Sequence, residues 1–245
     1  MRVSLFVTCL VDQLWPSVGV AAVEVLRRAG CEVRFDARQT CCGQPAFNSG
    51  WHDEARRVAR SLIEVFDDGT SDAVVLPSGS CCSMFGHFEG LFEGDAALQA
   101  RAAALAGRTH ELSAFLVDVL GVTDLGARFD GRVSWHDACH GLRELGIARQ
   151  PRALLERVAG CELVEVTGHD TCCGFGGTFS VKYPELSVAM ADSKIDALER
   201  AGLDAVVSGD VSCLMQLGGR LQRRGSRLRT LHLAELLAGH AGGPA

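Results

Sequence analysis

The chain is poor in several things. Its 245 residues include one tyrosine, three tryptophans and six prolines, and no apolar run approaches bilayer length, which is roughly 18 residues. Lys and Arg total 24 against 30 Asp and Glu, a net charge of −6. A nucleic-acid footprint needs a basic face, and no cluster of Lys and Arg marks an anionic membrane surface; neither partner is expected. There is no phosphate-binding loop and no nucleophile elbow. Gly174-Phe-Gly176-Gly177 stops short of a dinucleotide fingerprint and follows a cysteine pair rather than opening a βαβ unit. The short Cys-x2–4-Cys pairs of structural zinc sites are missing, and so is the local Cys-x2-Cys-x2-Cys-x3-Cys-Pro run of ferredoxins.

Cysteine is plentiful by contrast, with eleven in the chain. Thr40-Cys41-Cys42-Gly43 recurs as Thr171-Cys172-Cys173-Gly174, an offset of 131. Cys9 matches Cys139 and Cys31 matches Cys161 at 130, and Cys81 matches Cys213 at 132. Ala29-Gly30-Cys31-Glu32 reappears as Ala159-Gly160-Cys161-Glu162, and Asp72-Ala-Val-Val75 as Asp204-Ala-Val-Val207. The chain reads as a duplication with a 1–120 and a 121–245 domain, each of ordinary size and, at 47% apolar residues, able to bury a core. An odd number of cysteines places it in the cytoplasm, where thiols more often bind metal or do redox work than form structural disulfides. The apolar segment 3–11 reads as a buried strand rather than a leader, because its counterpart 133–139 lies mid-chain.

Each half has the same predicted order. Residues 3–10 form a strand and 17–29 a helix, with Val18, Ala21, Ala22, Val25 and Leu26 on one face. Gly30 ends the helix, Cys31–Phe35 is a strand, and 52–66 a helix before strand 72–76. In the second half the strands are 132–137, 160–166 and 204–207, with helices near 150–159 and at 184–201. Residues 91–108 connect the halves, and 111–120 and 233–237 close them as helices. This alternation implies an α/β protein of two tandem Rossmann-like βαβαβ domains, each with a parallel sheet. Ligands on such sheets bind beyond the carboxyl ends of the strands. Cys9, Cys41, Cys42 and Cys81 all follow strand ends, and so do Cys139, Cys172, Cys173 and Cys213.

Four converging thiols per half, with a glycine after each pair to let backbone N–H approach sulfur, suit an iron–sulfur cluster. Gly43 and Gly174 supply that approach. His136 and His140 bracket Cys139, and His169 precedes the second pair; each could ligate iron, donate to cluster sulfur, or be a polar residue satisfied at a strand end. Arg143 either offsets an anionic cluster or is a surface arginine. Cys31 and Cys161 read as buried small hydrophobes, and Cys82 as a spare ligand or its neighbour. The competing chemistry is thiol–disulfide exchange at the vicinal pairs.

At these residues the chain resembles the cysteine-rich CCG domain family, along nearly its whole length. That family includes the B subunit of heterodisulfide reductase and iron–sulfur subunits of glycolate oxidase and anaerobic glycerol-3-phosphate dehydrogenase. Pro77-Ser-Gly-Ser-Cys81 and Ser212-Cys-Leu-Met-Gln216 look like motifs of its lactate-utilisation group. The resemblance implies a non-catalytic electron-transfer subunit of an L-lactate-oxidising system, carrying one or two clusters of the [4Fe-4S] type. It also implies two partners, a ferredoxin-domain iron–sulfur protein and a further lactate-utilisation subunit. Cys139, Cys172, Cys173 and Cys213 would hold one cluster and Cys9, Cys41, Cys42 and Cys81 another. In the heterodisulfide reductase relative the motif ends in Cys-x-x-Cys and holds a non-cubane cluster. Here Ser78 and Asp210 stand where the first cysteine of that pair would be. The alternative within the family is a thiol/disulfide reductase subunit.

Overall fold

A computed structural model describes residues 1–67 and 69–240. The first half runs β1 (Arg2–Leu5), α1 (Cys9–Leu14), α2 (Pro16–Arg28), β2 (Glu32–Arg34), α3 (Gln44–Asn48), α4 (His52–Phe66), β3 (Ala73–Leu76), α5 (Gly79–Gly86), α6 (Phe88–Leu91), α7 (Ala96–Gly107) and β4 (Thr109–Glu111). A short helix, α8 (Leu112–Ala114), continues into a π-helical turn at Phe115–Val119. The second half is β5 (Arg128–Trp135), α9 (Cys139–Arg143), α10 (Arg149–Leu155), β6 (Ala159–Leu163), α11 (Thr178–Lys182), α12 (Pro184–Arg200), β7 (Ala205–Ser208), α13 (Val211–Arg223), β8 (Arg229–His232) and α14 (Leu233–Ala238).

These strands build two four-stranded sheets, β2-β1-β3-β4 and β6-β5-β7-β8, and every pairing is parallel. The protein is α/β with two Rossmann-like units in tandem. Parallel neighbours need a crossover of a dozen or more residues, which is why helices separate the strands. The identical Ala-Val-Val runs form β3 and β7, interior strands buried along their whole length. Continuous apolar sequence is what a strand covered on both faces requires.

Several boundaries differ from expectation. The first strand stops at Leu5 rather than residue 10, because the Thr8 side chain accepts from Val11 N–H and starts a helix at Cys9. Residues 96–107 are a helix leading to β4, so each sheet has a fourth strand that the three-strand pattern lacked. Helix α13 was likewise not anticipated. Both β4 and β8 are too short and too polar, Thr-His-Glu and Arg-Thr-Leu-His, to announce themselves by periodicity.

The largest core cluster is common to both halves. It joins Val3, Leu5 and Val25 to Val133, Trp135, Val207, Leu233 and Leu237. Helix α2 lays its buried stripe, Val18 to Leu26, against α14. The Arg28 guanidinium fastens this seam by donating to the carbonyls of Leu125, Leu237 and Ala238 at 3.0–3.3 Å. Two outer clusters belong to one half each, one around Phe6, Phe66, Phe85 and Phe88 and the other around Ile195, Leu198 and Leu217.

Candidate metal centre

Each tetrad of thiols is assembled from three loops at the carboxyl edge of a sheet. Thr8 caps α1 and makes Cys9 its first residue. Ser78 caps α5 by accepting from Cys81 N–H at 3.3 Å, which sets Cys81 in the opening turn. The Cys41-Cys42 pair lies on the β2–α3 loop, turned by Gly43 at φ +89°. Cys9 Sγ is 3.8 Å from Cys41 Sγ, and Cys42 Sγ is 3.3 Å from Cys81 Sγ. In the second half Cys139 opens α9, Cys213 lies in the first turn of α13, and Gly174, also at φ +89°, turns the chain after Cys172-Cys173. Cys139 meets Cys172 and Cys173 meets Cys213, as in the first half. Gly43 N–H donates to Cys41 Sγ at 3.4 Å and Gly174 N–H to Cys172 Sγ at 3.3 Å.

These contacts divide the thiols. Hydrogen bonds from Cys42, Cys9 and Gly43 N–H bring Cys41 down to about 2. Bonds from Cys139, Cys173 and Gly174 N–H, with the nearby His136, do the same for Cys172. Cys213 is lowered to about 6 by Cys173 and His136, although it is fully enclosed. The donors Cys9, Cys42, Cys139 and Cys173 are pushed up. Thiols packed this closely share protons, because adjacent thiolates repel in a dry pocket. Full deprotonation of either tetrad calls for a cation among the sulfurs.

All eight cysteines line one cavity of about 220 Å³, together with Gln44, His140, Phe175, Gly176, Gly177 and Asp210. The sites expected in separate halves therefore face each other across a common space. Ser78 and Asp210, the positions without a thiol, bond to each other across the two walls. Asp210 accepts from Ser78 Oγ (3.3 Å), Ser80 Oγ (3.0 Å) and Ser80 N–H (2.8 Å). Gly79 and Gly141 let α5 and α9 close up, since a Cβ on Gly79 would lie 3.1 Å from Gly141 Cα.

The three histidines part company. His136 is buried, and neither ring nitrogen makes a hydrogen bond of ordinary geometry. One of its nitrogens and the sulfurs of Cys173 and Cys213 all lie within 4.8 Å of one another. His140 lines the cavity but sits 3.4 Å from Gln44 Nε2 and 3.7 Å from Glu144. His169 is engaged elsewhere, with Nδ1 2.6 Å from Asp137 Oδ2. Asp137 also takes Arg152 at 2.9 Å and Trp135 Nε1 at 2.8 Å. Burial would raise its carboxyl, but these donors outweigh burial and hold it below the usual range. Arg143 is exposed. Cys31 and Cys161 pack in the core, where burial pushes Cys161 up to about 11. Cys82 lies beside Cys81 but does not reach the cavity; burial and the neighbouring Glu111 push it up.

Lys194 went unnoticed in the sequence. It is buried on α12, where its ammonium donates to the carbonyls of Gly168, His169 and Thr171 at 2.8–2.9 Å and so braces the loop that carries the second cysteine pair. Burial lowers its pKa, opposed by the thiolates of Cys173 and Cys213. The donor set fits an iron–sulfur group: thiols only in the first tetrad, backbone N–H on sulfur in both, and an imidazole facing the sulfurs of the second.

The stretches 3–86 and 133–218 each match the family model of the cysteine-rich domain known as CCG. The chain belongs to the CCG family. Lactate utilization protein A of Macrococcus caseolyticus (strain JCSC5402) is 49% identical over 237 residues, covering 97% of this chain and 96% of that protein. Its namesake from Bacillus subtilis (strain 168) is 46% identical over 237 residues, covering 97% and 99%. Among solved structures, a hypothetical protein from Helicobacter pylori aligns with a TM-score of 0.68 at 9% identity, over 100% of this chain and 49% of that one. So distant a likeness speaks to the fold alone.

Proposed function

We propose that this CCG protein is a cytoplasmic iron–sulfur electron-transfer subunit of a multiprotein system that oxidises L-lactate, or a similar 2-hydroxy acid, to the 2-oxo acid. The observation that carries this reading is the pair of thiol tetrads on opposite walls of one cavity. The names of the full-length relatives supply the metabolic context. Cys9, Cys41, Cys42 and Cys81 would hold one group, and Cys139, Cys172, Cys173 and Cys213 the other. When bound, such clusters, of the [4Fe-4S] type in our reading, take up and release single electrons.

Oxidising a 2-hydroxy acid releases two electrons and two protons, and two one-electron centres match that electron count. The residues of the chain do the rest. Gly43 and Gly174 bring N–H groups onto sulfur, the caps of α1 and α5 aim Cys9 and Cys81, and the apolar walls keep water scarce. Among the described residues no helix is long and apolar enough to cross a membrane. Substrate oxidation is assigned to a further lactate-utilisation subunit, and onward transfer to a ferredoxin-domain partner.

The test is anaerobic purification with iron and sulfide analysis and EPR, on wild type beside Cys42→Ser and Cys173→Ser. Each variant is expected to lose about half the iron and one of two signals. Protein that binds no iron under reducing conditions would sink the proposal. A second reading, disulfide reduction by the vicinal pairs, draws support from the low pKa of Cys41 and Cys172, each only partly buried. It requires fast alkylation of metal-free protein and activity that survives chelation of iron.

A further inference from the structure

The two tetrads are alike in their thiols and unlike in what stands behind them. In the first half the residue after the strand is Phe6, whose N–H bonds Val75 O at 2.9 Å. In the second half His136 makes the same bond, to Val207 O at 2.8 Å, and Val75 and Val207 are themselves equivalent. Phe6 is completely enclosed by Phe66 and Phe85, with ring centroids 5.9 and 5.2 Å away. His136 is as deeply buried, with a ring nitrogen within 4.8 Å of the sulfurs of Cys173 and Cys213 and no oxygen or nitrogen partner among the described residues.

A second exchange occurs on the helix that covers each site. Five of the six buried positions of α4, Ala55, Ala59, Leu62, Ile63 and Phe66, correspond at an offset of 132 to Ser187, Ala191, Lys194, Ile195 and Leu198, the buried positions of α12. Lys194 therefore replaces Leu62, and an ammonium stands where the first half has a methyl group. The groups that face the His136 ring are the sulfurs of the second tetrad, where Phe6 faces other phenyl rings.

We propose that His136 is a nitrogen ligand to the metal group of the second tetrad, a fifth donor beside Cys139, Cys172, Cys173 and Cys213 that the first tetrad lacks. This rests on the reading of the tetrads as iron–sulfur sites. The ammonium of Lys194, coupled to the thiolates of Cys173 and Cys213, would favour the more negative, reduced state of a group held by those sulfurs. With no counterpart of that charge at Leu62, the second group would be the more easily reduced of the two.

The experiment uses the full chain, reconstituted anaerobically with iron and sulfide. Cys42→Ser isolates the second centre and Cys173→Ser the first. Pulsed EPR of the reduced proteins, with and without ¹⁵N-histidine labelling, is expected to show a strong nitrogen coupling in Cys42→Ser and none in Cys173→Ser. Adding His136→Phe to Cys42→Ser should abolish the coupling. The coupling is first read on protein that retains His136, so a folding defect in His136→Phe leaves the test intact. Iron-loaded Cys42→Ser without a strong histidine coupling overturns the ligand assignment and leaves the electron-transfer reading standing. A wild type that takes up no iron overturns both.

Discussion

Three glycines share one backbone conformation and differ in the space around them, which makes them a graded test of how tightly the cysteine loops are held. Gly30, Gly43 and Gly174 have φ of +86°, +89° and +89°. A Cβ on Gly30 would meet nothing within 4 Å. On Gly43 it would lie 3.4 Å from a Val58 methyl, an ordinary contact. On Gly174 it would lie 2.4 Å from Ser187 O and 3.1 Å from Met190 Cβ, and a backbone oxygen cannot swing aside.

A left-handed conformation costs an L-residue about 1–2 kcal/mol, so Gly30→Ala and Gly43→Ala should each lose about that much. Gly174→Ala adds the overpacking of a filled interior, typically about 1–3 kcal/mol, for a total of about 2–5 kcal/mol. The displacement also moves the N–H that Gly174 gives to Cys172 Sγ. Urea unfolding of metal-free protein measures the first effect, and iron content after reconstitution the second. Gly174→Ala is expected to unfold at the lowest urea concentration and to lose iron from the second site only. If Gly174→Ala proves no worse than Gly30→Ala, the account of the loop is wrong.

Two buried carboxylates make pH predictions of opposite sign. Asp137→Asn breaks a pair buried against Arg152 and His169; loss of one partner of a buried pair costs about 3–5 kcal/mol, and Glu165, which still holds Arg152 at 2.6 Å, puts the loss at the lower end. Because the carboxyl is held below its ordinary range, its contribution is present above about pH 4 and lost as pH falls through the depressed value. Urea unfolding at pH 7 and pH 3 should show wild type and variant converging in acid. Glu111 is shifted the other way, from 4.5 to about 7, by burial that outweighs the donors on Ser113 and Ala114. Its protonated form favours the fold, so stability falls by on the order of 3 kcal/mol as pH rises from 4.5 past 7. Glu111→Gln should lack that slope, and parallel slopes for the two proteins between pH 5 and 8 would contradict the assignment.

Much of the site was legible because a thiol repeat is visible without knowing the fold. The offsets of 130 to 132 marked the eight cysteines, and the alternation of strand and helix put them at one edge. Helices 52–66 and 184–201 were read almost to the residue, because their apolar positions recur at helical spacing. What failed to show depends on contacts between the halves. Nothing about Ser78 or Asp210 as residue types says that they meet. The histidines looked alike in sequence, and only the fold sends His169 to Asp137 and His136 to the sulfurs. Lys194 was within reach, since counting back 132 from it gives a leucine, but a lone lysine in a helix ordinarily reads as solvent-facing.

The contacts between the halves also decide how the absent thiols are to be understood. Residues 78 and 210 are equivalent in the two halves, and they bond to each other, which places them on the axis that relates the halves. Off that axis the contacts come in reciprocal pairs. Glu111 caps the helix after β4, and its Oε1 lies 3.1 Å from where a Cβ of Gly209 would be. His232 caps the helix after β8 and approaches Pro77 O at 3.2 Å. Gly209 and Pro77 again stand 132 apart. On the axis the serine hydroxyl donates and the aspartate carboxylate accepts. Two cysteines there would instead face each other across the seam, where each could be drawn into its own tetrad. The positions without a thiol thus fasten the two walls at the cavity itself, while α2, α14 and Arg28 hold the halves together further away.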